Sequence, residues 1–217
     1  MSMMYEETRM SIIESGVEMK LSSLVVGTWG NISARVPGGA LMAITPSGVD
    51  YETIRPEDIL IMDFDGNIVD GTMKPSIEHP LHSAIYKDRP DVNAIVHTHS
   101  SFTTAFAIAR KPIPAAAEDM VQIVGGDVRV NEYCLPGTND LGTSVVEALR
   151  DRSAVIMANH GCLAAGPNMK ETMKIVNVVE KSAQSVIYAQ MLGGVVPLTQ
   201  EDIASMRDFY LHCYGQR

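Results

Sequence analysis

The sequence predicts an α/β fold: a three-layer α/β/α arrangement around a central mixed, largely antiparallel sheet. Three observations lead there. Strand-like segments occur in pairs across tight-turn residues early in the chain, the grammar of antiparallel hairpins. Two later apolar runs, Ala94–His97 and Ala154–Met157, are continuous rather than alternating, as in strands covered on both faces. Between and after these lie segments of helical period that can supply the covering layers.

Residues Tyr5 to Val26 carry Ile12, Ile13, Val17, Leu21 and Leu24 near helical spacing, so an amphipathic helix opens the chain, and Gly27 and Gly30 end it. Ile32–Val36 and Leu41–Thr45 flank Pro37-Gly38-Gly39, and Ile59–Asp63 and Asn67–Asp70 flank Asp65-Gly66, giving two strand–turn–strand units. After Pro75-Ser76 the period lengthens. Leu81 and Ile85 mark a helix running to Lys87, with Ser76 near its N-cap and Pro80 tolerated in its first turn. The run Ala94–His97 is followed by a helix over Phe102–Ala109. Val128–Val130 reads as a short strand, Leu141–Leu149 as a helix, and Leu163–Ala165 as a continuation of the strand Ala154–Met157 beyond a turn at Gly161. Two helices follow: Met169–Leu192, stopped by Gly193-Gly194, and one begun at Thr199, which with Asp202 forms a capping box. No repeat or linker interrupts this order, so residues 1–217 read as a single domain.

Composition then narrows function. With 46% apolar and 20% charged residues the chain belongs with globular proteins rather than disordered ones. Its 17 Lys+Arg against 26 Asp+Glu leave a net charge of −9, which repels a nucleic-acid backbone and an anionic membrane alike. Neither is expected as a partner, and an anionic ligand has to be captured locally. No apolar run reaches the roughly 18 residues of a membrane span, and the first residues lack the apolar core of an export signal. Three cysteines, Cys134, Cys162 and Cys213, form no C-x-x-C pair, so a reducing cytoplasmic location is the expectation.

Histidine placement is the strongest chemical signal. His97 and His99 stand two apart at the end of an apolar strand, so both imidazoles point the same way and can converge on one ion. Asn159-His160-Gly161 ends the second apolar run and brings a third imidazole to the edge of the same sheet, where open sheets place their sites. Packed, hydrogen-bonded strand ends are the competing reading. A fourth ligand has to be acidic or water: Glu78 in the first helical turn fits, and equally fits the favourable end of the helix dipole. Glu78 with His82, spaced i, i+4, is a weaker ligand pair, and Cys162 reads as a buried apolar thiol. Three turns, Gly30-Asn31-Ile32-Ser33, Thr45-Pro46-Ser47-Gly48 and Lys74-Pro75-Ser76, offer backbone N–H groups and short hydroxyl or amide side chains. A phosphate needs these where positive charge is scarce, although ordinary turns use the same residues. No nucleotide-binding glycine motif occurs.

Taken in order, Gly30-Asn31-Ile32-Ser33, Thr45-Pro46-Ser47-Gly48, Pro75-Ser76-Ile77-Glu78, His97-Thr98-His99 and Asn159-His160-Gly161 resemble the class II aldolase/adducin family along essentially the whole chain, most closely its branch acting on L-fuculose 1-phosphate. The resemblance implies a zinc ion, with manganese or cobalt as alternatives, held by Glu78, His97, His99 and His160. It implies substrate phosphate bound by Gly30, Asn31, Ser47, Gly48 and Ser76. Ile77 stands where such aldolases often carry a second serine, so only its backbone amide can serve. It further implies metal-dependent cleavage of a ketose 1-phosphate to dihydroxyacetone phosphate and a short aldehyde, with Glu78 handling the carbon-bound proton. Glu118 or Asp119, with Tyr214, would manage the hydroxyl proton, in a homotetramer whose sites lie between subunits. The acidic pair Glu118-Asp119 replaces a tyrosine of the aldolase branch and is similar to the family's 4-epimerases of L-ribulose 5-phosphate. An epimerase, or a sugar-phosphate dehydratase or decarboxylase of the same family, is therefore the alternative.

Overall fold

The computed structural model describes residues 3–216. Its centre is an eight-stranded mixed sheet made of β1 (Asn31–Arg35), β2 (Leu41–Ile44), β3 (Leu60–Asp63), β4 (Ile68–Asp70), β5 (Ala94–Thr98), β6 (Arg129–Val130), β7 (Ala154–Met157) and β8 (Gly161–Gly166). The spatial order is β4-β3-β2-β1-β5-β8-β7-β6, antiparallel throughout except for the parallel β6–β7 pair at one edge. Among the described residues seven α-helices accompany it: α1 (Glu6–Leu21), α2 (His79–Asp88), α3 (Ser101–Ala109), α4 (Glu118–Val124), α5 (Asn139–Leu149), α6 (Met169–Met191) and α7 (Gln200–His212).

Strand alternation sorts the core into two layers. On one face Ile32, Ala34, Val96, Ile156 and Ala164 pack with Ile12 and Met19 of α1, Met120 of α4 and Val176 and Val179 of α6. On the other, Ile44, Met62, Ile95 and Leu163 meet Leu81 and Ile85 of α2 and Leu141 and Val145 of α5. The expected α/β layering with a largely antiparallel sheet is what the chain adopts.

Four local features depart from the sequence expectation. The opening helix stops at Leu21 rather than Val26: Ser22 caps it, Ser23 turns left-handed at φ +57°, and Leu24 and Val25 are buried by a loop instead. Glu78, not Ser76, takes the N-cap position of α2, while Ser76 Oγ accepts the Glu78 N–H at 3.3 Å. β8 does not continue β7 but returns beside it as an antiparallel hairpin. Helix α4 was not foreseen, because its seven residues span only two turns, too short for a helical period to stand out.

Registry fixes where the site forms. Asn31 at the start of β1 pairs with His97 near the end of β5, and His97 pairs on its other side with Leu163 of β8. The β7–β8 turn therefore reaches the same end of the sheet as His97 and His99.

Candidate active site

His97 stands next to last in β5, facing the α2 layer, and His99 follows just beyond the strand. His160 comes from the β7–β8 turn, where Asn159 adopts φ +58° and accepts a hydrogen bond from Arg110 Nε at 2.7 Å. The glycine after His160 is required by crowding: a Cβ on Gly161 would lie 2.2 Å from the Thr98 carbonyl oxygen and 3.2 Å from the rings of His97 and His99. Gly30 is equally constrained, at φ +80° and with its Cβ position 2.6 Å from the His97 carbonyl oxygen. The Asn-His-Gly and Gly-Asn motifs thus let three backbone segments close on one point.

At that point the three rings stand edge to face, with centroids 4.7 to 4.9 Å apart and one ligand nitrogen from each within 4.8 Å of the others. His97 is fully buried, and its Nδ1–H donates to the Cys162 carbonyl at 2.9 Å, so its Nε2 lone pair faces the cluster. Cys162 contributes only that carbonyl; its side chain lies in the opposite core layer. Burial, reinforced by the neighbouring imidazoles, pushes His97 well below the ordinary histidine pKa and His99 down to about 4. Burial also lowers His160, against an opposing pull from Glu78. All three rings are therefore neutral lone-pair donors near neutral pH.

Glu78 is 4% exposed and closes the cluster, with Oε2 at 3.4 Å from His97 Nε2 and Oε1 at 3.5 Å from His160 Nε2. Oε2 accepts from Asn31 Nδ2 at 2.7 Å, whereas buried Oε1 finds no hydrogen-bond donor among the described residues. Three neutral imidazoles and a carboxylate oxygen without a partner are a donor set that fits a divalent ion.

Beside this cluster opens a cavity of about 220 Å³, lined by all six residues expected around the phosphate: Gly30, Asn31, Ser47, Gly48, Ser76 and Ile77. The two serine loops are tied together, Ser47 N–H to the Lys74 carbonyl at 2.9 Å and Ser76 N–H to the Thr45 carbonyl at 3.1 Å. These bonds consume both amides and leave for a ligand the Ser47 hydroxyl and the O–H of Ser76, whose oxygen already accepts the Glu78 N–H. Asn31 gives one amide hydrogen to Glu78 and accepts from His82, so one Nδ2 hydrogen remains for the cavity.

A family model described as "Class II Aldolase and Adducin N-terminal domain" matches residues 10–187, more than half of the chain. The chain belongs to this family. It is 34% identical over 215 residues to 5-deoxy-D-ribulose 1-phosphate aldolase of Bacillus thuringiensis serovar kurstaki, covering 99% of this chain and 100% of the relative. It is 30% identical to a Mycoplasma pneumoniae protein named "Probable L-ribulose-5-phosphate 4-epimerase UlaF", over 87% of this chain and 84% of that one. A solved structure of L-fuculose 1-phosphate aldolase superimposes with a TM-score of 0.93 at 37% identity, covering 96% of this chain and 98% of that one.

Not every expected residue meets in this class II aldolase-family site. Glu118 and Asp119 open α4, where Asp119 pairs with Lys181 of α6 and accepts its neighbour Met120 N–H at 3.0 Å. Tyr214, half exposed beyond α7, stacks on Tyr210 at 5.3 Å with the Lys174 ammonium over its ring. None of the three lines the cavity of its own chain. His82 does not act as a ligand partner of Glu78, because Asn31 and Ser33 occupy both of its ring nitrogens. Three cavity residues went unread in the sequence, Thr28, Trp29 and Pro136; of these Trp29, 66% exposed, stacks on His99 at 5.6 Å and 29°. The only sequence signal of Trp29 is a large aromatic between two turn residues.

Proposed function

We propose that the protein is a divalent-metal-dependent aldolase that reversibly cleaves a ketose 1-phosphate to dihydroxyacetone phosphate and a short aldehyde. The observation that carries this reading is the partnerless Oε1 of Glu78, set among three neutral imidazoles beside a cavity of phosphate-type turns.

Glu78, His97, His99 and His160 would hold the ion. When bound, it supplies Lewis-acid stabilisation of the negative charge that develops on the ketose oxygen. The phosphate sits against the Ser47 and Ser76 hydroxyls, the Gly30, Asn31 and Gly48 turns and the Ile77 amide, close to the positive end of α2. In cleavage the C3–C4 bond breaks, its electron pair moves toward the C2 oxygen, the C4 hydroxyl gives up its proton and the aldehyde departs. Glu78 Oε1 delivers a proton to C3, and in synthesis removes the same proton. Glu118 or Asp119, with Tyr214, would take the C4 hydroxyl proton from a neighbouring subunit of a homotetramer. The three free cysteines are compatible with a reducing cytoplasm, and no helix among the described residues is long and apolar enough to cross a membrane.

The test is dihydroxyacetone phosphate release across a panel of ketose 1-phosphates, including L-fuculose and 5-deoxyribulose 1-phosphates, with stripped and re-added zinc, manganese or cobalt. Release that vanishes on stripping and returns with metal is expected. Full-rate cleavage by thoroughly stripped protein would overturn the mechanism. A 4-epimerase is the second reading, favoured by the acidic pair Glu118-Asp119. Epimerisation of L-ribulose 5-phosphate without release from any ketose 1-phosphate would establish it instead.

A further inference from the structure

Behind the candidate site a line of polar groups crosses an otherwise apolar layer. His82, one turn past Glu78 on α2, is fully buried, with Nε2 at 2.6 Å from Asn31 Oδ1 and Nδ1 at 2.6 Å from Ser33 Oγ. Asn31 and Ser33 are alternate residues of β1 and share the face toward α2. Ser33 Oγ also meets Tyr86 OH at 2.8 Å, a further turn along the helix. The line therefore runs Tyr86, Ser33, His82, Asn31, Glu78, with Met42, Ile44, Ile85 and Ile95 in the same core layer.

Donor and acceptor chemistry gives this line one direction. A carboxylate can only accept, so the Asn31 group at 2.7 Å from Glu78 Oε2 is the NH2, and Oδ1 faces His82. Oδ1 can only accept, so His82 Nε2 carries the hydrogen. Burial pushes the His82 pKa down to about 3, so the ring is neutral and its Nδ1 accepts from the Ser33 hydroxyl, which in turn accepts from Tyr86. Every hydrogen bond points toward Glu78 Oε2. A proton on Oε2 would need Asn31 to turn an acceptor to it, and that flip would force His82 onto its Nδ1–H tautomer and reverse the whole line, leaving the buried Tyr86 O–H without an acceptor among the described residues. The line thus keeps Oε2 an acceptor and leaves Oε1 as the oxygen that can gain or lose a proton.

We propose that His82 is a positioning residue: acting through Asn31, it tethers Oε2 of Glu78 and reserves Oε1 for the proton. The proposal rests on the aldolase reading for the use made of Oε1, but the hydrogen-bond direction stands apart from it. Apolar side chains in place of the whole line would pack this layer, whereas removing His82 alone orphans the buried Asn31 Oδ1 and Ser33 hydroxyl and costs stability; the line is therefore read by what it orients.

The test compares His82→Leu with His82→Gln, whose amide N–H can still donate to Asn31 Oδ1. For the ketose phosphate that the unmodified protein cleaves, the leucine variant should lose kcat roughly 10- to 100-fold with KM and bound metal unchanged, and the glutamine variant should regain most of it. Nitrogen-15 NMR of the unmodified protein should show His82 protonated at Nε2 alone, without titration between about pH 5 and 9. Unchanged kcat in the leucine variant overturns the proposal. So does equal impairment of both variants with loss of metal, or a proton on Nδ1. If the unmodified protein releases no product from any ketose 1-phosphate, the aldolase reading fails while the NMR tautomer still decides the tether.

Discussion

At the residue scale the proposed chemistry turns on one atom, Glu78 Oε1. Glu78→Gln keeps the size and the acceptor facing Asn31 but cannot exchange a proton with carbon, so kcat should fall by about 10²- to 10⁴-fold. Exchange of the C3 proton of dihydroxyacetone phosphate with deuterated solvent should fall in parallel. Retention of that exchange at the normal rate would remove Glu78 from the proposed role. Trp29, the chain's one tryptophan, offers a second check because its ring lies against His99. Titrating metal-free protein with Co²⁺ should quench its emission, and His99→Ala should abolish the effect; an unchanged spectrum would place the ion elsewhere. Three of the four proposed metal ligands were legible because histidines at the ends of apolar strands leave a sequence trace. Glu78 was ambiguous between cap and ligand, and only its partnerless oxygen separates the two. Trp29 and the role of His82 were illegible, since each depends on which residue faces it across the fold.

At the element scale the helices were readable where period and caps coincide. Thr199 and Asn168 cap α7 and α6 by accepting the Asp202 and Glu171 amides at 3.1 and 2.9 Å, as short oxygen side chains do. The cap of α3 is supplied from far along the chain and could not be read locally. Glu180 of α6 accepts from the Phe102 and Thr103 amides at 2.8 and 2.9 Å and from Ser100 Oγ at 2.6 Å. It fixes the turn that follows His99. Glu180→Gln should lower stability by about 1–2 kcal/mol in urea unfolding and weaken metal binding through the loosened His99; intact metal affinity would confine Glu180 to a capping role. The β1–α2 seam also predicts acid lability. The folded chain keeps His82 neutral down to about pH 3, while the unfolded chain takes up a proton below about 6.5. Stability from this group is complete above about pH 6.5 and is lost as pH falls, by about 2 kcal/mol at pH 5. Metal-free protein should show that loss in its urea midpoint between about pH 7.5 and 5, and His82→Gln should show correspondingly less. An equal loss in both proteins would assign the acid sensitivity to other groups.

At the scale of the whole molecule, the sheet order gathers the proposed ligands but leaves the site's apolar side uncovered. Val26, Trp29, Ile77 and Leu135, all at least 64% exposed, sit on loops in or next to the segments that line the cavity. A rim of this kind marks a surface that meets something else. Meanwhile Glu118, Asp119 and Tyr214 stand outside the cavity of their own chain. Both features fit the homotetramer proposed above, in which one chain lends its acid and tyrosine to a neighbour's Glu78. That arrangement makes a prediction no monomer can satisfy. Tyr214→Phe and Glu78→Gln chains, each impaired alone, should recover activity when unfolded together and reassembled. Random mixing leaves roughly a quarter of shared sites with both groups intact, because each group is drawn independently from a different chain. Recovery should track the fraction of mixed assemblies seen by native mass spectrometry. A mixture that assembles yet shows only the sum of the two parental rates would mean that each chain works with its own tyrosine, and that the exposed rim serves another purpose.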